Sequence, residues 1–268
     1  MLSSPSSTAS VDMLAWLLAL AAALVYAIPA IARERLPEAR AKLFLRFAWV
    51  LHALTLVWGL AGYEPRFGFA PALSITAWLV LTAYVVEQRL YPHMRSRWPL
   101  SALGALAVIV AALLPGTPLH VNASPWMPLH LALGIASYGL FAAAVVHAAL
   151  MTRAERQMRQ GSDHDGGLPL LTLERLTFRF VGAGFALLSA TLAAGFIFGE
   201  HLYGKAWVRN HKSVFSVLSW LVFAILLFGR ARFGWRGQRA THMLYIGAAL
   251  LLLAYVGSRF VIEVILKR

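Results

Sequence analysis

Residues 126–151 read WMPLHLALGIASYGLFAAAVVHAALM, without a single Asp, Glu, Lys or Arg. About 20 mostly apolar residues suffice for a helix to cross about 30 Å of hydrocarbon, and this stretch exceeds that. Working outward, seven further stretches have the same character: 12–31, 43–62, 70–89, 99–115, 177–199, 213–229 and 240–264. Within hydrocarbon every backbone N–H and C=O needs a partner from its own segment, which a helix supplies. The expected fold class is therefore all-α, a polytopic membrane helical bundle of eight transmembrane helices. The fourth is the short one. It is bounded by Pro99 and Pro115 and flanked by the turn chemistry of Pro92-His93-Met94 and Pro115-Gly116-Thr117-Pro118, so it reads as crossing, tilted or interfacial.

Composition agrees. Sixty per cent of the 268 residues are apolar and 13% charged, whereas soluble domains average about 25% charged. Cysteine is absent, which excludes disulfides, thiolate metal sites, a CxxC redox relay and covalent C-x-x-C-H haem attachment. The net charge of +13 would suggest nucleic acid in a soluble protein, but its placement is topological. Alternate loops, holding for example Arg33, Arg40, Arg95, Arg156 and Arg236, collect 17 Lys and Arg; the opposite side collects 7. Cytoplasmic loops carry that excess. Both termini are thus expected on the periplasmic side of a bacterial inner membrane, the partner implied by charge being membrane lipid, not nucleic acid.

Met1 to Val11 is Ser-rich and carries no cation. It reads as a disordered lead-in (1–11) to a single transmembrane domain (12–268), and helix 1 reads as a span more readily than as a cleaved signal. The loop 154–169, with its Gly-Ser-Asp-His-Asp-Gly-Gly run, is the longest polar connection.

Nine histidines are the main chemical resource of a cysteine-free membrane protein. His130 opens helix 5 and His211 opens helix 7, both at the outer interface. Imidazoles on two facing helices can clamp an iron from both sides. Arg209 and Lys212 beside His211 can take carboxylates or serve lipid head groups. Trp207, with Trp126 and Tyr203, is either an aromatic shelf or part of the interfacial belt. His52 sits mid-helix and His242 near the inner end of helix 8; each can equally be an interhelical hydrogen-bonding group. His120 and His201 lie in outer loops and could replace either ligand. No Ser–His–Asp set, HExxH, P-loop or paired intramembrane carboxylates occur, so hydrolase and ATPase chemistry have no residues to carry them.

Three stretches resemble the cytochrome c assembly family, which includes haem-handling CcsA-type and HemX-like membrane proteins. Pro128-Leu129-His130 running to Ser137-Tyr138-Gly139 is similar to the family's outer histidine helix. Asn210-His211-Lys212-Ser213-Val214-Phe215 through Trp220 resembles the end of its tryptophan-rich motif. Gly234-Trp235-Arg236-Gly237, with the last helix to Gly257-Ser258-Arg259, resembles its C-terminal part. The resemblance is strongest over 126–264. It departs in the tryptophan-rich motif, where only Trp207 and Lys212 remain and Asn210 and His211 stand where Asp and Pro belong. Phe228 occupies the place of a membrane histidine, and Ser258 has no histidine near it.

The resemblance implies binding or relaying haem b at the periplasmic face during cytochrome maturation, with haem-protein assembly partners or apocytochrome c as recipients. It implies an accessory role rather than synthase catalysis, so no catalytic residue is assigned. His130 and His211 are the expected axial ligands, then His52 and His242, with Trp207, Lys212 and Arg209 around the porphyrin. The rival readings are a ligand-free scaffold for assembly partners and a small-solute transporter, whose sites sit on broken helices and for which Pro29 and Gly182-Ala183-Gly184 are candidate breaks.

Overall fold

The computed structural model describes residues 5–32, 35–61, 66–91, 98–118, 127–160, 169–197, 211–257, 260–261 and 265. Among the described residues there are eight helices, in two compact units, Met1–Leu119 and His120–Arg268, and the class is all-α. Unit 1 holds α1 (Pro5–Ala32), α2 (Glu38–Ala61), α3 (Phe69–Leu90) and α4 (Trp98–Leu113). Unit 2 holds α5 (Met127–Arg159), α6 (Leu170–Ile197), α7 (His211–Phe233) and α8 (Gly237–Leu252), the last continuing as a π-helical turn over Leu253–Gly257. All except α4 are long and apolar enough to cross a membrane.

Helices outrun their hydropathy. α5 continues eight residues past Met151, through Thr152-Arg153-Ala154-Glu155-Arg156, because these residues favour helix as strongly as the apolar ones do. α6 likewise begins at Leu170, ahead of the apolar run at 177, and α1 begins at Pro5, where a proline loses nothing by lacking an N–H.

The short α4 is resolved by a two-residue bridge. β1 (Arg66–Phe67), just before α3, pairs antiparallel with β2 (Thr117–Pro118), just after α4, placing Arg66 opposite Pro118 and Phe67 opposite Thr117. The end of α4 therefore returns to the level at which α3 starts. Sixteen residues span about 24 Å, so α4 and its connection reverse the whole rise of α3. Gly116 makes the bridge possible. Its φ is +80°, and a Cβ there would fall 2.6 Å from the Phe67 carbonyl oxygen, a position only glycine fills without strain.

Both units bury many small residues between helices and turn many large apolar ones outward. Ala22, Ala48, Ala144, Ala148, Ser137 and Ser219 are fully buried, while Leu24, Val57, Leu106, Phe196 and Phe228 are 60% exposed or more. Lipid tails solvate leucine as well as a protein core does, so helices associate through small residues and close packing. In unit 1, α1 packs on α2 and α4, and α3 closes against both of these. In unit 2 the order around the bundle is α5, α6, α7, α8, with α8 returning to α5. The diagonal helices α5 and α7 meet at the centre, where Phe141 and Phe223 stack with ring centroids 3.8 Å apart and planes within 5°. Gly184 of α6 and Gly247 of α8 admit that pair: Cβ atoms there would lie 3.2 Å from Phe141 and 2.7 Å from Phe223.

Candidate functional site

His130 lies in the first turn of α5, half-buried, with its Cε1 against Gly195 in the last turn of α6. His211 is the first residue of α7 and is exposed. Lys212 follows it, half-buried, with Nζ 5.9 Å from the centre of the Tyr255 ring in the π turn that ends α8. Starts of α5 and α7 and ends of α6 and α8 thus share one end of unit 2. His130 and His211 are carried by the diagonal pair, the two helices that look at one another across the bundle axis. Farther in, the Tyr138 hydroxyl donates to the Leu251 carbonyl, and the Ser219 hydroxyl donates to the Gly247 carbonyl at 2.8 Å. The Trp220 indole donates to Ser189 Oγ at 2.8 Å. These bonds, two or more turns in from the histidines, tie the four helices of unit 2 together.

Trp207 and Arg209 lie outside the described residues, as do His120, His201, Trp126 and Tyr203. His242 is not part of this cluster. It sits in the second turn of α8, at the opposite end of unit 2, exposed in a cleft with Arg153 and Arg156.

His52 belongs to unit 1 and is fully buried. Its Nε2 is 2.8 Å from Ser74 Oγ on α3, and its Nδ1 is 3.3 Å from the Tyr26 hydroxyl on α1. A neutral imidazole has one donor and one acceptor, and each hydroxyl can serve either, so the node is satisfied in both tautomers. α4 completes it: a Cβ at Gly104 would lie 2.8 Å from the Tyr26 ring, so only glycine lets α4 close over that tyrosine. One polar node therefore joins α1, α2 and α3, and α4 packs over it. To act as a ligand, His52 must release either Ser74 or Tyr26. A cavity of about 510 Å³, with Trp16, Trp58 and Arg66 among its walls, reaches the node at Ser74.

Neither Tyr26 nor Ser74 was indicated by the sequence as a partner of His52, since separations of 26 and 22 residues carry no local signal. Gly195 and Tyr255 were equally silent.

Among the described residues, no three His, Asp or Glu side chains converge on one point. What two histidines can hold is a metal that brings most of its own donors. A porphyrin iron is such a metal, since the macrocycle supplies four nitrogens and a protein one or two axial ligands. Lys212 adds a cation suited to a carboxylate edge.

The profile of the family described as "Cytochrome C assembly protein" matches residues 11–266. "Inner membrane protein YpjD" of Escherichia coli K12 is 32% identical over 148 residues, 54% of this chain and 56% of that one. An uncharacterized 28.8 kDa protein of Azospirillum brasilense is 31% identical over 72% of this chain and 76% of its own. "Cytochrome c biogenesis protein CcsA" of Prochlorococcus marinus is 22% identical over 82% of this chain and 80% of its own. The chain thus aligns with little more than half the length of YpjD. No solved structure matches.

Proposed function

The chain belongs to the cytochrome c assembly protein family, and on that premise we propose that it is a multi-pass inner membrane protein that binds haem b at the outer end of unit 2 and relays it during cytochrome c maturation. His130 and His211 would be the axial ligands. Lys212 and Arg209 would hold the propionates, and Trp207 would flank the ring. The recipient would be an apocytochrome or another assembly protein. Bound haem supplies an iron and an electronic system; the chain supplies ligation, orientation and charge, and no bond of its own is made or broken.

One observation carries the reading: two histidines separated by 81 positions in the chain come to the same end of one braced four-helix unit, on its diagonal helices. The charge count, 17 Lys and Arg against 7, favours the periplasmic side for that end.

The test is a visible spectrum of the detergent-purified protein, oxidised and then dithionite-reduced, with a pyridine haemochrome assay for stoichiometry. The expected result is a Soret band, a sharp reduced α-band and about one haem per chain. His130→Ala and His211→Ala should each convert the six-coordinate spectrum to a five-coordinate one. Full six-coordinate spectra in both variants would reject these ligands.

A second reading, a small-solute site, has the unit 1 cavity in its favour. It requires uptake or export that depends on His52 and persists in a haem-free protein.

A further inference from the structure

We propose that the cleft between the inner ends of α5 and α8 is a binding site for the phosphate head of an anionic phospholipid. The cleft encloses about 500 Å³ and has two walls. α5 contributes Arg153 and Arg156, one turn apart on the same face, with Ala149 one turn deeper. α8 contributes Gln238 and His242, again one turn apart, with Tyr245 deeper still.

Charge decides the class of ligand. No carboxylate lines the cleft, and among the described residues no acidic side chain forms an ion pair with Arg153 or Arg156. The same end of unit 2 shows the alternative fate of an arginine. Arg230 and Arg236 both reach Glu174, at 2.8 and 3.2 Å, and the Arg230 guanidinium also lies 3.5 Å over the Phe178 ring. Those two cations hold α6 to the α7–α8 turn. Arg153 and Arg156 are exposed and have no such employment, yet two guanidiniums one turn apart can each fork onto phosphate oxygens. Gln238 and His242 provide further donors from the facing wall.

Depth decides between a lipid and a free anion. Leu129 to Ala149 is an uncharged stretch about as long as the hydrocarbon is thick. Arg153 and Arg156 then fall at head-group level, in the leaflet that the charge count marks as cytoplasmic. Ala149 and Tyr245, farther along the two helices toward the middle of the span, then fall on the hydrocarbon side of that level, where the glycerol backbone of a bound lipid would lie and a dissolved phosphate would not. Basic pockets between helices at this level suit anionic head groups.

The experiment is native mass spectrometry of the full-length protein in mild detergent, titrated with dioleoyl phosphatidylglycerol and, separately, with dioleoyl phosphatidylcholine. Wild type should hold at least one phosphatidylglycerol in preference to phosphatidylcholine. Arg153→Gln/Arg156→Gln should weaken that binding roughly 30-fold, about fivefold per cation. His242→Gln, on the opposite wall, should weaken it about threefold. The control Arg232→Gln/Arg239→Gln, which removes two exposed cations at the same end, should stay within about twofold of wild type. An unchanged thermal midpoint shows that each variant is folded. The proposal is overturned if the control loses as much as the cleft variant, if both lipids bind alike, or if the cleft variant binds like wild type. Displacement of the lipid by millimolar inorganic phosphate would overturn it in favour of a soluble anion.

Discussion

The buried node of unit 1 gives the sharpest test of the packing argument. Ser74→Ala deletes the hydroxyl 2.8 Å from His52 Nε2 and leaves an imidazole nitrogen in a fully buried setting. Hydrogen bonds between membrane helices contribute about 0.6 kcal/mol on average and at most about 1.7, whereas stranding a buried polar atom costs about 1–3 kcal/mol. The expected loss is therefore about 1.5 kcal/mol. Tyr26→Phe removes the longer, 3.3 Å contact and should cost less, about 0.5–1 kcal/mol. Ser74 also borders the cavity, so part of its effect could be packing alone. A double-mutant cycle separates the two. In a His52→Leu background, Ser74→Ala should be nearly neutral, because no imidazole remains to be stranded. The assay is equilibrium unfolding in mixed micelles of mild detergent and dodecyl sulfate, followed by tryptophan fluorescence. Equal costs of Ser74→Ala in the wild-type and His52→Leu backgrounds would refute the claim that the bond, and not the volume, matters.

Two glycines, one against the stacked phenylalanines and one in open space, provide a matched pair. Gly247→Ala would put a methyl 2.7 Å from the Phe223 ring and should destabilise unit 2 by about 1–3 kcal/mol. Gly182→Ala meets nothing within 4 Å and should be neutral or slightly stabilising, since alanine is the better helix former. Thermal melts of the two variants in one detergent check both. Glu174→Gln removes the carboxylate shared by Arg230 and Arg236. Loss of a partly buried charged pair should lower stability by about 1.5–3 kcal/mol. Amide hydrogen exchange should rise first in the α7–α8 turn; a rise confined to α5 would contradict this role for the carboxylate.

Part of the candidate site was legible as placement along helices. His130 and His211 were expected at the outer starts of helices 5 and 7, and they lie in the first turn of α5 and at the first residue of α7. A helix start is a local event, marked here by Pro128 and by the polar run before His211. His242 was expected near the inner end of helix 8, and it lies there, in the second turn of α8 at the far end of the unit from His130 and His211. His52 was ambiguous between ligand and hydrogen-bonding group. Its two partners come from α1 and α3, so only the packing of three helices shows that both nitrogens are engaged.

The sequence by itself determined that this is a polytopic helical membrane protein, and which segments cross. Span length against bilayer thickness is a property of each segment alone, and hydropathy reads it directly. It could not decide the fate of α4, because 16 apolar residues suit several placements. The bridge between Arg66–Phe67 and Thr117–Pro118 decided that. Nor could it decide which helices are diagonal, that Gly184 and Gly247 frame the Phe141–Phe223 stack, or that Arg153 and His242 share a cleft while Arg230 is spent on Glu174. In lipid the apolar pattern is almost the same all round a helix. The information about who packs on whom resides in a few small and polar residues, whose meaning appears only when their distant partners meet.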